Sequence, residues 1–331
     1  MMFKRVVRLI LQVPGAQALK ARVLDLSDRL NWARNRIRYG DLAPTFAVIG
    51  AQKAATTSLH FYLSQHPEIF MSRNKKEHNL FLADSDERGS YCELEPFFYG
   101  SSSRQKRGGL TDDQILCRMF RGYRGERVIG DASPYYTNAP FAGIETPARM
   151  YHLKPEMRII YSLRNPLERM ISNYLHDVRI NDWRGQPITD DFNTRIRTRS
   201  HFLETSLYFN QLKRYLEFFP ADQIHVLLFE DLLARPDSTL AALTRFLRVD
   251  EGFKFDVSHS HAASPNRKPS NEFVFSHENF TRFIEPIRRD IAAMEDFLGR
   301  SLAIWDLSEE RWCQIAGISE EAGPESKTST S

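Results

Sequence analysis

Cysteine is scarce. The 331 residues include three, Cys92, Cys117 and Cys313, spaced too widely for a disulfide framework or a thiolate metal site. That usage suits a reducing compartment, so a cytoplasmic location is expected. Long apolar runs are missing too. Val6-Val7-Arg8-Leu9-Ile10-Leu11 is broken by an arginine and followed by Pro14, well short of the ~20 residues that a spanning helix needs. Neither a membrane span nor a signal peptide is expected. Little charge of one sign is left over, because 45 Lys and Arg face 42 Asp and Glu for a formal +3. No nucleic-acid partner is implied. His259 and His261 have no third ligand nearby in the sequence, so no metal is expected either. What remains is ordinary for a soluble globular protein, with 42% hydrophobic and 26% charged residues. The length can bury the core of one large α/β domain or two small ones.

The small net charge hides an asymmetry. Residues 1–40 carry nine Lys and Arg against two Asp. Residues 17–38 have helical spacing, with Leu19, Val23, Leu26, Leu30 and Ala33 on one face and Arg22, Arg29 and Arg36 largely off it. Residues 1–40 therefore read as a basic amphipathic helical segment, packed on the domain with its basic face in water. The alternative is peripheral docking on an anionic membrane. The Arg-rich, initially acid-free start also fits an organelle transit peptide. A single domain is expected over 41–316, and 317–331 reads as a disordered tail.

The chemistry is concentrated at Phe46-Ala-Val-Ile-Gly50-Ala-Gln52-Lys53-Ala54-Ala55-Thr56-Thr57-Ser58. A short apolar strand ends at Gly50 and a helical pattern begins near Thr57. A strand that stops at a small-residue turn aims the first amides of the next helix into the turn, which makes an anion site. Lys53 adds a charge and three hydroxyls add donors, so a phosphate is the natural guest. The loop lacks the terminal Gly-Lys-Ser/Thr of a Walker A motif. The simpler reading is a strand, a turn and a capped helix.

Further along, Ile69-Phe70-Met71 is a short strand leading into Ser72-Arg-Asn-Lys75-Lys76-Glu77-His78-Asn79-Leu80-Phe81. Glu77 beside two lysines can serve as a general base, with His78 as its competitor; otherwise the run is a solvated charge cluster. Residues 84–126 read as a loop plus a helix from Asp112 to Phe120 laid over the site. Val128–Tyr136 is a strand end and turn. Met157–Leu163 is the cleanest buried strand, and Arg164-Asn165-Pro166 starts a helix carrying Arg169, Ser172 and Tyr174. In a parallel sheet, that puts Arg164 at the edge lining the ligand crevice. A helix is expected over His201–Phe219, with Tyr208 in its apolar stripe. A strand over Ile224–Phe229 and a helix over Pro236–Leu247 follow. Arg267 and Lys268 lie in an exposed basic loop.

The spacing Gly50-x-x-Lys53-x-x-Thr56-Thr57-Ser58 resembles the 5′-phosphosulfate loop of sulfotransferases, usually Gly-x-x-Lys-x-Gly-Thr-Thr. Ala55 stands where glycine is usual, and its backbone is expected to avoid positive φ. Leu163-Arg164-Asn165-Pro166-x-x-Arg169-x-x-Ser172-x-Tyr174 resembles the same family's 3′-phosphate element. Lys76-Glu77-x-x-Leu80-Phe81 and Asp131-Ala132-Ser133-Pro134-x-Tyr136 are similar to segments of its heparan-type members, although Ala132 replaces their lysine. The resemblance implies a three-layer α/β/α fold around a parallel sheet, of the P-loop-like sulfotransferase type. It implies 3′-phosphoadenosine 5′-phosphosulfate (PAPS) as donor, no metal, and a glycan-like hydroxyl or amine as acceptor. Glycolipids and small metabolites stay open as acceptors. It makes Lys53 and Glu77 catalytic. Donor contacts would come from Gln52, Lys53, Ala54, Ala55, Thr56, Thr57, Ser58, Arg164, Ser172, Tyr208, Arg267 and Lys268. A P-loop nucleotide kinase or a non-catalytic nucleotide- or glycan-binding module are the other classes.

Overall fold

The computed structural model describes residues 17–40, 42–73, 75–82, 111–138, 145–183, 185–258 and 275–315. Arg267, Lys268, His259 and His261 lie outside them. In chain order the elements are α1 (Gln17–Tyr39), β1 (Phe46–Gly50), α2 (Thr56–Leu63), β2 (Ile69–Met71), α3 (Asp112–Met119) and β3 (Val128–Ala132). Next come α4 (Glu145–Leu153), β4 (Arg158–Leu163), α5 (Pro166–Trp183), α6 (Phe192–Thr198), α7 (His201–Glu204) and α8 (Tyr208–Leu216). The series ends with β5 (Ile224–Leu228), α9 (Phe229–Ala234), α10 (Pro236–Leu247), α11 (His277–Leu298) and α12 (Glu309–Ile315).

All five strands pair in parallel, in the order β2-β3-β1-β4-β5. Their runs are apolar because both faces are covered. Phe46, Val48, Ile69, Val128, Ile160 and Leu227 pack on α2 and α10 residues such as Leu59, Leu63, Leu240 and Leu243. Their alternates Phe70 and Ile129 point the other way, into a cluster with Met119, Phe120 and Tyr123 that Trp32 and Tyr39 of α1 join. Helices thus lie on both faces of the sheet. The chain runs from β1 to β2 and β3 on one side, then returns to β4 and β5 on the other. That reversal beside β1 is where open α/β sheets bind ligands, at the strands' C-terminal ends.

Contacts divide the chain into two compact units. One comprises Met1–Arg164 and Asn210–His261, with the whole sheet; the other comprises Asn165–Phe209 and Ala262–Ser331. In the second unit, the helix expected over His201–Phe219 is broken between Glu204 and Tyr208. The cause is polar. Fully buried Arg169 donates from Nε to Ser206 Oγ (2.7 Å) and from Nη2 to Phe202 O (2.6 Å), and Asp290 accepts from the Phe209 amide (2.9 Å).

In the first unit, helix α3 packs on α1. Trp32 meets Phe120 with 5.1 Å between ring centroids, and Arg121 holds Asp28 through two bonds of 2.7 and 2.5 Å. Helix α1 is indeed docked, but by Asp28, Asn31, Trp32 and Tyr39. Of its apolar stripe, Leu26, Leu30 and Ala33 face water, with Leu26 50% and Leu30 53% exposed.

Candidate active site

Gly50 is required where β1 turns into the loop. A Cβ there would collide with Thr137 Oγ1, which itself donates to Ile49 O (3.1 Å). Two residues then hold left-handed backbone, Lys53 (φ 70°) and Ala55 (φ 66°). The expectation for Ala55 is therefore wrong: it keeps the glycine-like geometry despite its methyl group. What holds the loop is Ser162, on the adjacent strand β4. Its hydroxyl donates to Ala54 O (2.5 Å) and its carbonyl accepts from Ala51 N (2.7 Å). With the Ala51 and Ala54 carbonyls engaged, by Ala54 N and Ser162 Oγ, and α2 starting at Thr56, the first amides of α2 are placed to form an anion site.

Side chains from three segments meet this loop. Gln52, buried, accepts from Asn138 Nδ2 (3.2 Å). Arg164, at the end of β4, donates to Lys53 O (3.5 Å) and lies 4.6 Å over the Phe229 ring. Lys76 Nζ donates to Thr56 Oγ1 (3.0 Å) and to Glu77 Oε1 (3.1 Å). Glu77 is thereby tied to the loop through one lysine, while its side chain keeps 32% exposure. Among the hydroxyl residues, Thr57 is exposed, and Thr56 and Ser58 are buried.

His78 turns away from this group. It is 5% exposed, its Nε2 lies 2.8 Å from Ser72 Oγ, and burial followed by the charge of Lys75 lowers its pKa to about 4. Its ring is thus buried and engaged by Ser72, unlike the part-exposed Glu77. Asn79 accepts from Ser133 Oγ (2.6 Å), which joins this segment to the end of β3. There, fully buried Asp131 accepts from Tyr136 OH (2.5 Å) and Ala132 N (3.0 Å). Burial pushes its carboxyl up to about 6 against those bonds, with Glu77 and Lys76 within electrostatic reach.

The sulfotransferase family profile matches residues 44–251, from the residues before β1 through the end of α10. The chain belongs to the sulfotransferase family. A crystal structure of a sulfotransferase from Alicyclobacillus acidocaldarius is 28% identical, with a TM-score of 0.61, and covers 80% of this chain and 99% of that one. A membrane-associated sulfotransferase, kil1, of Dictyostelium discoideum is 22% identical over 62% of this chain and 56% of its own length. Human heparan sulfate glucosamine 3-O-sulfotransferase 5 is 25% identical over 66% of this chain and 58% of its own. The chain thus spans little more than half the length of these curated relatives.

Two of the family's expected donor contacts fall in the second unit. Ser172 lies partly exposed on α5. Tyr208 is fully buried, its ring 5.8 Å from that of Trp305, as a core side chain is. Sequence reasoning gave no site role to Asn138, Ser162 or Asp131, and read Lys76 only as a neighbour of Glu77 within its motif. Nothing in the local pattern marks Ser162 inside an apolar strand, or Asn138 after a turn, as loop partners. Among the described residues no cluster suits a metal, and no helix is long and apolar enough to cross a membrane.

Proposed function

We propose that the protein transfers a sulfuryl group from PAPS to a hydroxyl or amine of a glycan-like acceptor. The observation that carries this is Lys76, which bonds at once to Thr56 of the phosphate loop and to Glu77. A base and an anion loop joined in this way suit an in-line transfer. The loop amides with Thr56, Thr57 and Ser58 hold the 5′-phosphate. The acceptor oxygen attacks sulfur as the bond from sulfur to the bridging oxygen breaks. The electron pair passes to that oxygen, where Lys53 balances the charge, and the acceptor's proton passes to Glu77. Arg164 takes the 3′-phosphate, and the sequence pattern that carries it also carries Ser172. The heparan sulfate enzymes among the relatives support a glycan-like acceptor.

Calorimetry with adenosine 3′,5′-bisphosphate and AMP, combined with transfer assays, tests this reading. The unmutated protein should prefer the bisphosphate, and Arg164→Ala should remove most of the preference, since a charge-assisted contact contributes about 1.5–3 kcal/mol. Glu77→Gln should bind the bisphosphate normally and lose about 10²–10⁴-fold in kcat. Equal affinity for both nucleotides, or normal turnover by Glu77→Gln, would overturn it.

One observation favours a less anionic acceptor. A cavity of about 760 Å³ has apolar walls at Leu80, Phe81, Leu116, Leu153 and Phe218, and its charged lining comprises two carboxylates, Asp112 and Glu145, and one guanidinium, Arg149. Leu80 is three residues from Glu77, within about 11 Å of chain. A glycolipid, with an apolar part to bury, fits those walls better than a sulfated polysaccharide does. An alkyl glycoside should then show a higher kcat/KM than the same glycan without its alkyl chain.

A further inference from the structure

The outward face of α1 is built to lie on a surface. At about 100° per residue, Leu26, Leu30, Ala33 and Ile37 fall within an arc of about 60°. All four are exposed, Ile37 at 89%. Arg29 and Arg36 flank this arc on one side, and Arg34 and Arg38 on the other. The opposite face is occupied, by Asp28 on Arg121, Asn31 on Phe120 O and Tyr39 on Arg124 O. Helix α1 is therefore anchored, and its apolar stripe cannot turn inward to hide.

We propose that this arginine-flanked stripe of α1 docks on an anionic lipid membrane. Charge selects this occupant. Of the helix's two aspartates, Asp25 is paired with Arg29 (2.9 Å) and Asp28 is buried under Arg121, so neither offers the surface a free negative charge. Asp25 and Asp28 are the only carboxylates between Met1 and Tyr39 in the sequence. Apolar side chains between arginines match the boundary between acyl chains and anionic headgroups, where long basic side chains reach outward to the phosphates. A second copy of α1 would instead set arginine against arginine. The inference is independent of the catalytic reading, since α1 contributes no residue to the phosphate loop.

Flotation of the full chain with vesicles tests it, using phosphatidylcholine alone or mixed with phosphatidylserine, at low and high salt. The unmutated protein should float with the mixed vesicles, less so at high salt, and stay behind with the neutral ones. Leu30→Glu/Ile37→Glu and Arg34→Glu/Arg38→Glu should each weaken binding by about tenfold or more. Arg282→Glu/Arg289→Glu, the same change of net charge on exposed α11 positions, should float normally. Bisphosphate affinity should be unchanged in every variant, showing that each is folded. The proposal fails if the unmutated chain does not float, if neutral vesicles bind it equally, or if Leu30→Glu/Ile37→Glu floats like the parent. It also fails if sedimentation without vesicles shows a dimer that this variant abolishes, or if the control pair weakens flotation as much as the α1 pair.

Discussion

Lys53 and Ala55 occupy a backbone region that costs roughly 1–2 kcal/mol for a residue with a Cβ, yet the loop adopts it twice in three residues. Ser162, holding Ala54 O and Ala51 N, supplies part of what offsets that cost. Ala55→Gly should relieve the strain at one position. It also gives up a methyl packed against the main core, worth about 0.8 kcal/mol. The expected result is unchanged stability or a gain of up to about 1 kcal/mol. Ala242→Gly inside α10 should instead lose about 1 kcal/mol. Urea unfolding of the two variants compares them directly, and equal losses would mean that Ala55 carries no strain. Lys76 is the other residue whose effect should exceed its burial. Lys76→Met breaks the bridge from Thr56 to Glu77 and should lower kcat/KM by about tenfold to 10²-fold, as small misplacements at a reacting centre do. Lys75 is exposed, so Lys75→Met is the comparison. Equal turnover by the two would make the bridge incidental.

At the scale of elements, one buried cation decides where a helix stops. Arg169 lies on α5 inside a pattern that reads as phosphate-binding, yet its guanidinium is spent on Ser206 Oγ and Phe202 O. Ser206→Ala removes an acceptor from a fully buried charge and should destabilise by about 1.5–3 kcal/mol. Ser238→Ala, an exposed hydroxyl on α10 bonded to Arg235 O, should cost less than about 0.5 kcal/mol. Similar unfolding midpoints for the two would show that Ser206 does not hold the break. This explains what the sequence could tell and what it could not. The strands were readable because both of their faces are apolar, and the loop because its spacing is local. The break between α7 and α8 is set by Arg169, more than thirty residues upstream, so helical periodicity ran straight through it. The outward stripe of α1 was legible as a stripe. Its direction was not, because the helix docks through Asp28, Asn31 and Tyr39, which hydropathy counts as weak or polar. At the candidate site, the motifs pointed to Lys53, Glu77 and Arg164, whereas the loop contacts of Ser162 and Asn138 depend on which strand and which turn lie beside β1.

Among the described residues, half-buried His60 and buried His78 and Asp131 pull stability in opposite directions with pH. Burial, reinforced by Lys76 for His60 and by Lys75 for His78, lowers both histidines to about 4. A depressed folded-state pKa contributes stability that is present above the unfolded value of about 6.5 and is lost as pH falls through about 4. Asp131 acts the other way. Burial raises it to about 6, so its contribution is full below the unfolded value of about 3.9 and is lost as pH rises from there through about 6. Between about pH 4.5 and 5.5, two protons gained by the histidines on unfolding are offset by nearly one lost from Asp131. A net uptake of about one proton means that these groups cost about 1.4 kcal/mol for each unit of acidification. Asp131→Asn removes the opposing group and should steepen that slope to nearly twice the parent's. In His60→Gln/His78→Gln only Asp131 remains of the three, and acidification over the same window should stabilise the fold relative to the parent's trend. Urea unfolding of all three proteins at several pH values, taken as differences so that the exposed carboxylates cancel, measures each slope. Parallel slopes in parent and Asp131→Asn would show that the Asp131 carboxyl is already ionised at pH 4.5. The short bond from Tyr136 would then outweigh burial in setting the Asp131 carboxyl.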